Sequence, residues 1–198
     1  MHRSPKILHQ YYSDRTWFKP SKDLVYLTFD DGPCPDLTDW ILNLLKVECV
    51  SATFFCVGEN YLRFPEIINR IKADGHVIGN HTMKHENGFK TDRKHYYRSF
   101  LSGHELMNTR LFRPPYGRMP KSLDKKIKEK SEIVMWTWLA KDYDQSILPE
   151  IIIQAANEIR PGDILVFHDN VKATSNLKAT LLPIIQLLKT KGYSFATL

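Results

Sequence analysis

Several things are scarce in this sequence, and each scarcity removes a class of protein. No stretch approaches the roughly 18 apolar residues that a membrane-crossing helix needs. The opening MHRSPKILHQYYSDRTWFKP holds no apolar leader core. The expectation from the chain as given is a cytoplasmic protein, or an envelope or secreted one if a leader has been removed. Cysteines number only three, Cys34, Cys49 and Cys56. Their count is odd and their spacing fits no CxxC metal pattern. Unpaired thiols lean towards a reducing compartment. Cys56, inside the apolar run ATFFCVG, reads as a buried free thiol, and Cys34 as incidental. Zinc-finger spacing, a basic zipper and RNA-binding motifs are all missing. No linker, repeat or low-complexity segment divides the chain, so one domain and a monomer are expected, with residues 1–22 as an N-terminal extension and 23–198 as the domain proper.

What is present is ordinary in bulk: 198 residues, 42% hydrophobic and 25% charged, enough for a sizeable core. The net charge of +6 suits an anionic polymer or surface. The lysines are nevertheless spread along helix-like segments such as KKIKEK, Lys125 to Lys130, in the manner of a solvated face. A basic enzyme with no nucleic-acid partner is the reading.

Seven β-like runs recur: Leu24 to Phe29, Ala52 to Val57, His76 to His81, Leu111 to Tyr116, Glu132 to Trp138, Asp163 to His168 and Tyr193 to Leu198. Several are near-continuous in Val, Ile and Phe, as strands buried on both faces are. Amphipathic stretches separate them: Leu37 to Val47, Pro65 to Gly75, Arg93 to Asn108, Lys121 to Lys130, Leu148 to Ile159 and Asn176 to Gly192, the last expected to kink or restart at Pro183. Alternation of this kind predicts a parallel α/β fold, with function at the C-terminal ends of the strands.

Four of those strand ends carry chemistry. LTFDDGP ends in Asp30 and Asp31, which point opposite ways in extended chain. The third run leads into HTMKH, with His81 and His85. The fourth leads into RPPYG, Arg113 to Gly117, and the sixth ends in His168. Singly these are a turn, a surface pair, a rigid loop and a core histidine. Together they suit metal-assisted hydrolysis of an amide or ester. Two His and one Asp are a ligand set for Zn²⁺ or a similar ion, with His81 and His85 expected on one turn of helix. A second carboxylate can take a proton from water made acidic by the ion. An arginine can hold that carboxylate ionised, and a further His can protonate a leaving group.

TFDDG, HTMKH, RPPYG and LVFH, in this order, resemble the polysaccharide deacetylase family, carbohydrate esterase family four, with its chitooligosaccharide-deacetylase homology domain. The resemblance runs from about Leu24 to the C-terminus. It implies a distorted parallel barrel of the (β/α)7 type in a single α/β domain. It also implies a metal-dependent hydrolase removing acetyl groups from N-acetylglucosamine-containing glycan, peptidoglycan or chitin-like. Removal of O-acetyl groups from xylan or another acyl sugar is the alternative, and a silent carbohydrate-binding protein is the alternative of another class. By position, the resemblance makes Asp30 the base, Asp31, His81 and His85 the metal ligands, and Arg113 the residue holding the base. It makes the Tyr116 N–H an oxyanion donor, with Pro114 beside it, His168 the general acid, and Leu165 the lining for the acetyl methyl. The ion implied is zinc, with cobalt, nickel or manganese able to fill the same ligands. The stretch WTWLAKDYD departs from the family. Asp142 best matches the acid orienting His168, with Asp144 its rival. Tyr143 stands where Trp is usual, at the substrate groove, and Leu139 where an acid is often found.

Overall fold

The computed structural model describes residues 2–198. Eight strands and eight α-helices alternate along most of the chain. In order they are α1 (Lys6–Tyr11), β1 (Leu24–Asp30), α2 (Leu37–Val47), β2 (Thr53–Cys56), α3 (Gly58–Arg63), α4 (Pro65–Ala73), β3 (Val77–Asn80), α5 (Arg93–Met107), β4 (Leu111–Phe112), α6 (Asp124–Lys128), β5 (Glu132–Ile133), β6 (Trp138–Leu139), α7 (Pro149–Ala155), β7 (Ile164–His168), α8 (Thr174–Thr190) and β8 (Ser194–Ala196). All named strand pairs are parallel. The sheet runs β5-β4-β3-β2-β1-β7-β6, with β8 beside β1, and it curls into a half-barrel.

Side-chain alternation along β1 and β7 sorts the interior. Val25, Leu27, Phe29, Leu165 and Phe167 face the helices and join the main core. On the concave side Tyr26 and Ile164 pack with Phe55, Leu111 and Val134 as an apolar floor. Above that floor the same face turns polar, with Thr28, Asp30 and His168. The register pairs Asp30 with His168 across β1 and β7. Polar residues at the strand tips need not be covered by a helix, so the site forms at this rim.

Several sequence expectations are corrected. Glu132 to Trp138 is two strands because the chain changes neighbours within it. The Val134 N–H donates to Phe112 on one side, and the Thr137 N–H to Ile164 on the other. Short helices α1 and α3 add to the six expected. Pro183 lies inside one uninterrupted α8. The segment Lys121 to Lys130 is a 3₁₀ turn followed by a short α6.

The N-terminal residues are built into the barrel. Arg3 bridges to Trp138, Thr16 to Val134 and Phe18 to Asp163. They span the gap where β5 and β6, joined in sequence, do not pair. Arg3 forms a two-pronged ion pair with Asp163, at 2.7 and 3.0 Å. Arg15, fully covered, binds Asp124 at 2.8 Å, and Trp17 is buried.

Candidate active site

β1 ends at Asp30, and the chain turns sharply there: Asp31 takes a left-handed backbone, φ 79°. The two acids therefore separate by more than strand alternation. Gly32 follows because a side chain at that position would collide with the Asp169 carboxylate. Asp30 is buried and receives the Arg113 Nη1 hydrogen bond at 2.7 Å. Arg113 reaches there from the end of β4, across the concave face. Its guanidinium also donates to Thr28 Oγ1 at 2.6 Å and to the carbonyls of Val134 and Met135, and it lies 4.1 Å from the centre of the Phe55 ring. Burial works against its charge, and Asp30 opposes that effect.

Asp31 turns towards the loop after β3. His81 and His85 do not share a helical turn, contrary to the sequence expectation. Residues 81–92 form a loop, with Thr82 and His85 at φ 64° and 57°. This loop, rather than i,i+4 helical spacing, brings the rings together, 5.1 Å apart. His85 Nε2 lies 2.9 Å and His81 Nε2 3.5 Å from Asp31 Oδ1. Neither approach has hydrogen-bond geometry, and Oδ1 is buried without a partner. Asp31 Oδ2 accepts from Asn170 at 2.5 Å. His81 Nδ1 meets the Arg113 carbonyl at 2.8 Å. A carbonyl can only accept, so Nδ1 carries the proton and the Nε2 lone pair is left for another partner. The three ligand atoms lie within 4.8 Å of one another. An orphaned carboxylate oxygen converging with imidazole nitrogens fits a divalent cation. Burial pushes the Asp31 carboxyl up, but the adjoining His81 and His85 rings outweigh it and hold it below the usual range.

His168 ends β7. Asp142 grips it twice: Oδ1 lies 2.7 Å from Nδ1, and Oδ2 accepts the backbone N–H at 2.8 Å. Burial works against the imidazolium, but Asp142, then Asp31 and Asp30, outweigh it. The pKa is pushed up to about 9. Asp144, the rival, is outside this grip and binds Ser146. Tyr143 sets its ring edge-on to His168 at 4.8 Å. Tyr116 is exposed, held at φ 60°, with its ring 4.6 Å from His85.

Asp30, Asp31, His81, His85, Tyr116, Tyr143 and His168 border one cavity of about 840 Å³, lined also by Leu139, Trp136 and Asn60, with Arg113 and Asp142 buried behind its wall. Two expectations fail. Leu165 faces the helices, because alternation places Val166, not Leu165, on the side of His168, and Val166 lines the cavity. Pro114 is buried and does not line it; its carbonyl accepts from Gly117 in the turn. Cys34, read as incidental, is on the wall.

Other wall residues went unread. Asn170 and Asp169 follow His168 directly, and that adjacency was the available signal. Asp169 is buried and binds Thr38 at 2.6 Å; burial and Asp31 push its carboxyl up to about 7, against the Thr38 bond.

Fold and site together define a β/α half-barrel with a carboxylate–histidine centre at the strand tips. The chain belongs to the polysaccharide deacetylase family, whose model matches residues 19–131. It is 32% identical to a peptidoglycan-N-acetylglucosamine deacetylase of Bacillus cereus over 191 residues, 92% of this chain and 90% of the relative. A chitooligosaccharide deacetylase of a Bradyrhizobium species is 33% identical, covering 73% of this chain and 70% of its own. Among solved structures, the Bc1960 peptidoglycan N-acetylglucosamine deacetylase in complex with a naphthyl N-hydroxybenzamide superposes with a TM-score of 0.89. It is 34% identical, over 98% of this chain and 95% of that one.

Proposed function

We propose that this protein hydrolyses the N-acetyl group of N-acetylglucosamine residues in a glycan of the peptidoglycan or chitin type, using a divalent cation, zinc by preference. The supporting observation is the pairing of Asp30 with Arg113 and of His168 with Asp142 on one cavity, around the Asp31, His81 and His85 cluster. Family membership and the names of the relatives point the same way.

Asp31, His81 and His85 would hold the ion, which when bound polarises the acyl carbonyl and acidifies water. Asp30 accepts the proton of the attacking water, and Arg113 keeps it ionised and aimed. The water oxygen bonds to the acyl carbon. The Tyr116 N–H donates to the developing oxyanion, a role worth about 3 kcal/mol. The C–N bond then breaks, its electron pair goes to nitrogen, and His168 delivers the proton that makes the amine. Acetate and a glucosamine residue with a free amine, still joined in the glycan, are the products. Val166 takes the place given to Leu165 beside the acyl methyl.

The test is acetate release by chelator-stripped protein, with and without Zn²⁺ or Co²⁺, from N-acetylglucosamine oligomers and from acetylated xylan. Metal-dependent release from the oligomers is expected. Release from xylan alone would move the protein to the esterases, and release from neither, with metal bound, would mean a different acyl substrate or a binding protein.

A further inference from the structure

A second cavity of about 430 Å³ adjoins the first and shares four wall residues with it, Tyr116, Arg118, Trp136 and Leu139. Its far wall comes from the N-terminal segment, through Leu8 and Trp17 among others, and its outer lip from Phe89. That segment precedes the residues matched by the family model. It is anchored firmly. Beyond the Arg3–Asp163 pair, the Leu139 N–H donates to the His2 carbonyl at 2.9 Å and the Ser4 N–H to Thr137 at 3.0 Å. The Ser4 hydroxyl donates to the Trp136 carbonyl at 2.8 Å.

The floor between the two cavities is aromatic. Trp136 is half-buried. Gly117, at φ 65°, brings its backbone so close that a side chain there would strike the Trp136 ring. Tyr116 stands 60% exposed and Phe89 57% exposed. Arg118, also exposed, presents a planar set of donors at the junction. Exposed rings beside a fork of donors match the two sides of a pyranose, whose C–H face is apolar and whose edge carries hydroxyls. The volume falls in the usual range for small-ligand sites.

We infer that this groove is a binding site for the sugar next to the one being deacetylated, and that residues 2–17 are its wall and hence part of the substrate-recognition apparatus. The inference rests on the glycan reading above, because the occupant is the same chain continued. Binding energy collected there, away from the reacting bond, can raise turnover of longer chains.

Leu8→Trp would fill the groove from its far wall, and Phe89→Ala would remove its lip. Both positions are exposed, and neither lines the first cavity. The measurements are kcat/KM of the zinc-loaded enzyme on N-acetylglucosamine and on its oligomers of two to five sugars, and calorimetric binding of the pentamer to chelator-treated protein. For Leu8→Trp, dimer and pentamer kcat/KM and pentamer affinity should each fall about tenfold, the single sugar changing less than twofold; Phe89→Ala should give a smaller loss in the same direction. Equal losses on the single sugar and the pentamer, unchanged pentamer values in both variants, or a native protein that does not bind the pentamer would overturn the inference. Pentamer binding that Leu8→Trp weakens, in a protein releasing no acetate from any oligomer, would keep the groove and remove the deacetylase reading.

Discussion

Two carboxylate–cation pairs each put one member on the cavity, Asp30 backed by Arg113 and His168 backed by Asp142, and both have 2.7 Å contacts. They differ in what the cation can do. Arg113 is wholly buried, bonded on every side, and of a type that does not give up its proton. It can only fix the charge of Asp30. His168 keeps a share of its ring at the cavity, 14% exposed, and imidazole titrates near neutrality. In the proposed reaction Asp142 therefore tunes a proton that can leave, whereas Arg113 tunes a carboxylate that would receive one. On that proposal the same short contact would serve opposite ends of one reaction, with the identity and burial of the cation deciding which.

The largest expected effect tests the receiving end. Asp30→Asn should lower kcat/KM by about 10²–10⁴-fold, with bound zinc, measured by atomic emission, unchanged. Asp31→Asn should lose the zinc itself. Equal metal loss in both variants would refute this division between neighbouring acids. Replacing Arg113 with Met should cost about 3–5 kcal/mol in urea unfolding, because it strands a buried carboxylate.

Next in size is the delivering end. If His168 is the proton donor proposed above, activity should fall as pH rises through its pKa, about 9 without a bound ion. A divalent cation nearby adds positive charge and moves that limb lower. Asp142→Asn removes the main charge raising the pKa, so the alkaline limb of the kcat profile should shift further towards neutrality. Asp144→Asn should leave it in place. The same sign governs stability. The imidazolium's contribution is fully present below about 6.5, the unfolded value, and is lost as pH rises through about 9. Asp142→Asn should flatten that slope in unfolding measured from pH 6 to 10.

The smallest effect marks the limit of the comparison. Lys128 and Asp14 form an ion pair at 3.0 Å on the open surface. Lys128→Ala should change stability by less than about 1 kcal/mol, despite a contact nearly as short as those of the buried pairs.

Much of this was legible in one dimension. Apolar runs alternating with amphipathic ones specify strands buried between layers, because each periodicity suits only one local geometry. The four motifs then place their acids, histidines and arginine at strand ends by position alone. Two things were beyond that reading. Ring convergence of His81 with His85 depends on left-handed residues in a loop, where spacing carries no information about direction. Val166 was within its reach, because alternation back from His168 puts Val166, not Leu165, on the cavity side. The N-terminal segment reads as a loose extension because its partners, Trp138, Val134 and Asp163, lie more than a hundred residues away. Local order and the chemical inventory follow from the sequence itself, since they depend on near neighbours. Which groups meet, and what closes the gap between β5 and β6, was settled only when the sheet curled and brought distant backbone within hydrogen-bonding reach.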